Sequence, residues 1–343
     1  MNAEPAPILS ICIATLNRAA YIGETLSSIA AQFCDGVEVV ILDGASTDNT
    51  EQVVRSFEGS IPRLHYHRQA KNSGVDADFD RAVELASGKY CWLMSDDDLL
   101  RADAIQSVLR KLRDEPSLVV VNAEVRSNDF SRLFEERRLP MTSDRQYGPG
   151  EMDQLFADAG SYLTFIACVV IRRDLWLARE RARYYGSLFI HVGVIFQAPL
   201  PATAVIISEP LISIRYGNAM WRPKEFEIWM FKWPSLVWSL PAVSATAKRV
   251  VTDDRPWHSA KLLLFYRAKG TYSLTEYRVW LAARLAPRKK VMAAAIALFP
   301  GVLANAMGLF YCSFVHRGTG MALLELRNSR YHIRNLLAAS NGA

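Results

Sequence analysis

No Gly-x-Gly-x-x-Gly run occurs in this chain, and the turn after its first apolar run, Thr15-Leu16-Asn17-Arg18-Ala19-Ala20, holds no glycine at all. The first absence speaks against a dinucleotide-dependent oxidoreductase, the second against a glycine-rich phosphate loop. Cysteine is scarce. Cys12, Cys34, Cys91, Cys168 and Cys312 are odd in number, lie mostly in apolar segments and show no paired metal spacing, so reduced core thiols are expected. The first residues, Met1-Asn2-Ala3-Glu4-Pro5, lack the basic-then-apolar pattern of a secretory signal, and a cytoplasmic location is expected. There is no internal repeat and no low-complexity tract. Long apolar runs are missing too, with one exception. Val291 to Val315 is 25 residues without a charge, but Pro300-Gly301 and Asn305 interrupt it, which fits a kinked re-entrant or interfacial hairpin better than a simple span.

What is present, over roughly the first 125 residues, is a regular alternation of short apolar runs with amphipathic segments, the pattern of an α/β domain with a mostly parallel sheet. Strands are expected at Ile8 to Ala14, Val37 to Leu42, Arg63 to His67, Lys89 to Met94 and Ser117 to Val121. Helices are expected near Ala19 to Gln32, Thr47 to Phe57, Val75 to Ala86 and Ala102 to Asp114. Ligands of open α/β sheets bind beyond the carboxyl ends of the strands. Polar residues collect at those ends: Thr15, Asn17 and Arg18, then Asp43, Ser46 and Asp48, then Asn72, Gly74 and Asp76, then Asp96-Asp97-Asp98. Three adjacent carboxylates need a cation. Mg²⁺ or Mn²⁺ prefers carboxylate oxygen and usually enters with substrate phosphates, which implies a nucleoside diphosphate. The alternative is structural, with Asp97 or Asp98 capping the amphipathic segment Leu99 to Leu112.

Ala14-Thr15-Leu16-Asn17-Arg18, Leu42 to Thr50, Asn72-Ser73-Gly74 and the Asp triplet, in that order and spacing, resemble the four successive motifs of family 2 glycosyltransferases. Gly74-Val75-Asp76, Tyr90 to Asp98 and Arg215-Tyr216-Gly217-Asn218 are similar, more narrowly, to abequosyltransferase-like enzymes of bacterial O-antigen assembly. The resemblance implies a GT-A (Rossmann-like) fold followed by a helical, membrane-associating C-terminal region. It also implies an enzyme that uses a nucleotide-diphospho-sugar and inverts the anomeric carbon.

Residue chemistry then suggests roles. Asp43 can accept a hydrogen bond from a pyrimidine ring, pointing to a UDP, CDP or dTDP donor. Thr15, Asn17 and Arg18 stand where a helix begins, placed to face the nucleotide and its phosphates, with Ser46 beside them; for Arg18 the alternative is an exposed helix-start charge. Asp76 and Asp78 are placed to meet ribose hydroxyls, or to serve as helix-start carboxylates. Asp97 is expected to be the principal metal ligand with Asp98 in support, and Asp96 to meet the ribose or a metal-bound water. The family pattern carries an Asp where this chain has Ser95. Arg215 is a candidate for a bidentate diphosphate contact, or for a structural ion pair.

The family usually places an acidic pair about ninety residues beyond the metal motif to deprotonate the acceptor hydroxyl. No such pair exists here. Tyr185 to Gly193 offers His191 alone, which is either the general base or a satisfied core group. Asp153, Asp158 and Asp174 are the competitors.

Charge is divided unevenly. Residues from Arg215 onward carry 19 Lys or Arg against 6 Asp or Glu, or +13, whereas residues 1–214 carry 21 against 29, or −8. Six of the eight tryptophans, Trp221, Trp229, Trp233, Trp238, Trp257 and Trp280, are interleaved with these cations. That composition suits an anionic membrane surface better than nucleic acid, the other reading being a buried helical core. The expected division is residues 1–125 for the nucleotide-sugar, 126–220 for the acceptor and 221–343 for the membrane, with Ser127 to Gly150 as a mobile segment. The acceptor is expected to be a polyprenyl-diphosphate-linked saccharide at the cytoplasmic face of an inner membrane, with the protein peripheral or monotopic. A non-catalytic nucleotide-binding scaffold and a nucleotidyltransferase on a related sheet are the alternatives.

Overall fold

The computed structural model of the chain describes residues 6–315 and 320–335. β1 (Leu9–Thr15), α1 (Ile22–Ala30), β2 (Val37–Asp43), α2 (Thr50–Arg55), β3 (Leu64–Arg68), α3 (Val75–Leu85) and β4 (Tyr90–Met94) follow one another as the sequence pattern predicts. Every residue of β1, β2 and β4 is buried, as expected of runs rich in β-branched side chains that are covered on both faces. β1 lies parallel to both β2 and β4, with Thr15 beside Asp43 and Ile13 beside Met94, so the strand ends open onto one edge.

β5 (Leu99–Leu100), α4 (Ala104–Leu112), β6 (Leu118–Ser127), β7 (Leu133–Glu135), β8 (Arg145–Tyr147) and α5 (Met152–Ala159) come next. β9 (Val169–Arg172), α6 (Arg173–Leu177), α7 (Ile190–Phe196) and β10 (Ala204–Tyr216) complete the ten-stranded sheet. The sheet is more mixed than expected. β9 inserts antiparallel between β4 and β6, and β10 runs parallel to β6. β5 pairs antiparallel with β10, Leu100 against Ile212, which brings the Asp triplet against the end of the last strand. That two-residue strand also displaces the start of α4, whose cap residue is Asp103, so neither Asp97 nor Asp98 caps a helix. The segment expected to be mobile contributes β7 and β8, paired with β6 and β10.

The chain divides into two compact units, Met1–Asn218 with Leu236–Thr252, and Ala219–Ser235 with Asp253–Ala343. One boundary near 220 was expected; instead the chain returns to the first unit, where Ser244 N donates to Asp153 Oδ1 at 2.7 Å. The described part of the second unit is helical. Its core gathers Phe226, Leu263, Tyr272 and Leu281, all buried. Phe231 stacks on Trp257 at 4.8 Å and on Trp280 at 5.1 Å, Trp229 packs on the same cluster, and Trp233 is buried. These tryptophans therefore build a core and do not form an interfacial belt; Trp221 alone of the six is exposed. Lys269, buried, is paired with Glu225 and, at 2.7 Å, with Glu325.

Candidate active site

The loops that leave β1 and β2 are stitched together. Asn17 takes a left-handed backbone, φ 55°, and its Oδ1 accepts from Thr47 N at 2.7 Å, while its own N donates to Ser46 Oγ at 2.7 Å. Arg18 N donates to Thr50 Oγ1 at 2.9 Å, and Ala19 N to Asp48 Oδ2 at 3.1 Å. Ala45 also has a positive φ, 74°, and at neighbouring Gly44 a Cβ would stand 2.8 Å from Asp78 Oδ2. Strained backbone held this firmly by its surroundings is typical of a ligand-binding loop.

This scaffold aims the Arg18 side chain across the strand ends at the carboxylates. Arg18 Nε donates to Asp96 Oδ1 at 3.0 Å and Nη2 to Asp97 Oδ2, with the three side chains 8%, 13% and 14% exposed. Asn218 Nδ2 donates to the same Asp97 oxygen at 2.8 Å. Burial, and then the neighbouring Asp97 charge, pushes Asp96 up to about 6 against the lowering pull of Arg18. Arg18 thus serves these carboxylates directly, where a phosphate contact was expected.

Asp98 does not join them. It is 3% exposed, and its carboxylate accepts from Arg215 N at 2.7 Å and from Ser95 Oγ. Burial and the Asp97 charge hold its pKa well above the usual range. Asp96 and Asp97 are the more exposed carboxylates of the triplet, and Ser95 supports Asp98. Arg215 is likewise committed to the fold. It donates to Asp97 O at 2.8 Å and to Asn128 O, pairs with Glu24 at 2.6 Å, and lies over the rings of Tyr21 and Phe130 at 5.1 and 4.3 Å. It positions the triplet and has no free fork for a diphosphate.

Other expected contacts move as well. Asp43 is fully buried, with Ser46 N at 2.6 Å on one oxygen and Tyr66 Oη at 2.6 Å on the other, so in this structure it offers no surface to a base ring. Thr15 and Ser46 are buried too. Asp76 accepts from Leu188 N at 2.8 Å and Ile190 N at 3.1 Å, holding the start of α7 where Leu188 has φ 73°, and does not face a ribose. Asp78 is held by Ser73 Oγ at 2.6 Å and by Gln69.

His191 lies in the core. It is fully buried in α7, its Nε2 bonds the Leu163 carbonyl at 2.6 Å, its Nδ1 has no partner among the described residues, and burial lowers its pKa to about 4. A base must reach the acceptor proton, and this imidazole cannot. The competitors are engaged elsewhere. Asp153 holds Ser244, Asp158 holds Tyr147 at 2.8 Å and Arg145 at 2.7 Å, and Asp174 pairs with Arg172. Asn218, Glu24 and Tyr66 were not expected at the site. Only Asn218 left a sequence signal, in Arg215-Tyr216-Gly217-Asn218.

Residues 10–176 match the model of glycosyl transferase family 2, and they form a family 2 glycosyltransferase domain with the GT-A fold. The nucleotidyltransferase alternative is thereby set aside. The chain is 26% identical to the abequosyltransferase RfbV of Salmonella typhimurium over 231 residues, 63% of this chain and 69% of that one. It is 40% identical over 129 residues to a PGL/p-HBAD biosynthesis glycosyltransferase of Mycobacterium bovis, covering 36% of this chain and half of the relative. Among solved structures, S. aureus TarS 1-349 in complex with UDP superposes with a TM-score of 0.59 at 14% identity, covering 98% of this chain and 92% of that one. The mannosyltransferase PcManGT of Pyrobaculum calidifontis, in complex with GDP-Man and Mn²⁺, gives 0.55 at 17% identity, covering 97% and 88%.

Proposed function

We propose that this enzyme transfers a sugar from a nucleotide-diphospho-sugar to a saccharide carried on a lipid diphosphate, in the assembly of a bacterial surface polysaccharide. The relationship to the abequosyltransferase supports the pathway class. The observation that carries the chemistry is the Asp96–Asp97 pair, which already holds a cationic group, the Arg18 guanidinium, at the open end of the sheet.

Mg²⁺ or Mn²⁺ fits the same oxygens. Among the described residues no cluster of three or more His, Cys, Asp or Glu side chains could cage a metal, which agrees with an ion that enters with the donor's phosphates. Asp96 and Asp97 would hold it, and when bound it would neutralise charge on the departing nucleoside diphosphate. The chain's own contribution is placement. Asn218 fixes one Asp97 oxygen, Arg215 fixes the Asp97 backbone, and Asp98 anchors the loop to β10. In the transfer the acceptor hydroxyl oxygen forms the new bond to the anomeric carbon as the bond to the diphosphate breaks, the diphosphate leaves with the bonding electrons, and the hydroxyl proton passes to water. Inversion is carried by the family resemblance; the pyrimidine expectation rests on Asp43, whose two oxygens are held by Ser46 N and Tyr66 Oη. The basic C-terminal third and the lipid-borne acceptor support peripheral or monotopic attachment at the cytoplasmic face of the inner membrane.

Thermal shift against UDP-, CDP-, dTDP- and GDP-sugars with Mn²⁺, followed by nucleoside diphosphate release with a polyprenyl-linked acceptor, tests the reading. One donor should stabilise the protein in a chelator-sensitive way and be consumed faster with acceptor. Stabilisation by none, or turnover indifferent to chelator, refutes it.

A further inference from the structure

In the second unit the helix Pro287–Leu298 is followed, after a bend of 92°, by Gly301–Val315. The bend falls at Phe299-Pro300, and no single described helix is long and apolar enough to cross a membrane. Large apolar side chains stand outward along both arms. Val291, Leu298, Leu303, Met307, Phe310 and Phe314 are 71%, 64%, 54%, 52%, 61% and 72% exposed. The buried residues of the pair are mostly small, Ala293, Ala297, Gly301 and Ala304, beside Met292, Ile296, Phe299 and Leu309 packed on the core, and Asn305 is satisfied by Ala268 O at 3.1 Å and Leu326 O at 2.8 Å. Those two bonds fix the second helix by its inner face, with Leu303, Met307, Phe310 and Phe314 left outward.

Soluble proteins rarely leave so continuous an apolar surface uncovered. Its edges carry cations. Arg288-Lys289-Lys290 stand in the first turn of the leading helix, and Lys261 reaches Tyr311 Oη at 3.3 Å on the other. No acidic residue occurs between Glu276 and Glu325, so nothing along the pair repels an anionic headgroup.

We propose that this bent pair is a monotopic wedge, its apolar face seated among the acyl chains of one leaflet and its cations at the phosphates of anionic lipid. The inference rests on the membrane reading above and goes further, because it assigns attachment to one face of the bent pair and not to the tryptophans, of which all but Trp221 are buried or half-buried. At ~1.5 Å per residue neither arm can cross the ~30 Å hydrocarbon layer. Insertion is therefore shallow, and attachment has an apolar part that salt leaves intact and an electrostatic part that salt removes.

The test is flotation of the full chain with vesicles of zwitterionic lipid, alone or with about a quarter anionic lipid. The variants are Leu303→Ser/Phe310→Ser/Phe314→Ser and Arg288→Gln/Lys289→Gln/Lys290→Gln. All six substituted side chains lie outside the two buried core clusters, so folding should survive, and donor-induced thermal shift reports on the catalytic unit separately. Wild type should float with anionic vesicles and stay partly bound in about 0.5 M salt. The triple serine variant should partition about tenfold or more weakly at both salts, and the glutamine variant should lose only the salt-sensitive part. A serine variant that floats like wild type overturns the assignment while leaving membrane attachment standing. A wild type that never floats overturns both without touching the donor reading. A wild-type dimer that the serine changes convert to monomer shows that the face belongs to a second copy, which also overturns the inference.

Discussion

Replacing Arg18 by Gln should make the empty enzyme less stable and more avid for metal. Arg18 holds Asp96 at 3.0 Å and also Asp97, with all three side chains at least 86% buried. Each such pair attracts by about 4 kcal/mol at ~4 Å and an effective dielectric near 20, most of which desolvation offsets. Removing the cation leaves two adjacent carboxylates unpaired, and breaking a buried pair in this way costs about 3–5 kcal/mol. The modest exposure here places the expectation near ~3 kcal/mol, or about 6–12 °C in melting temperature for a domain of this size. The same carboxylates are then free for Mn²⁺, and if even ~1.4 kcal/mol of the lost competition is recovered, nucleotide-free affinity rises about tenfold. Thermal unfolding with and without MnCl₂, and calorimetric titration of MnCl₂ without nucleotide, measure both effects. Arg18→Lys, which keeps the charge but loses the fork, should fall between. A Gln variant that melts with wild type, or gains nothing from Mn²⁺, would refute the idea that Arg18 stands in for the cation.

Asp97→Asn should abolish metal-dependent donor binding in a folded protein, whereas Asp98→Asn should weaken folding more than Mn²⁺ affinity in the presence of donor; equal losses of affinity would return Asp98 to the metal. Because His191 has a folded pKa of about 4 against 6.5 unfolded, the unfolded chain binds the extra proton between these values, so stability is full above 6.5 and lost as pH falls towards 4. The loss should reach about 2 kcal/mol between pH 7 and 5. Urea midpoints should show that His191→Leu removes that slope without altering turnover per folded molecule at pH 7; a collapse of turnover would make it a base after all. Lys269→Met should destabilise the second unit by about 3 kcal/mol by leaving Glu225 and Glu325 unpaired, seen as an earlier calorimetric transition with donor binding intact.

The strand ends were legible because β1, β2 and β4 are short β-branched or aromatic runs, each closed by polar residues, and three such ends in order leave one edge for a site. β9 was not. It is four residues long, follows a tight helical turn, and is a strand only because β4 and β6 flank it. The roles of individual carboxylates were also hidden, since each is decided by a distant partner: Arg18 for Asp96, Arg215 for Asp98, Asn218 for Asp97. Tryptophans among cations misled for a related reason. Arg284 lies over Phe231 and Trp280 at 5.2 and 5.7 Å, so a core edged by cation–π contacts has the same composition as a membrane interface.

The clamp of Arg215 on the Asp triplet also sets an order of events during synthesis. Asp98 leaves the ribosome 117 residues ahead of the backbone group that will hold it, and domains form as their last contacts become available. Until β10 is made, the loop of the Asp triplet lacks both its anchor and Asn218. An unfinished chain therefore carries the triplet without the contacts that hold it in place.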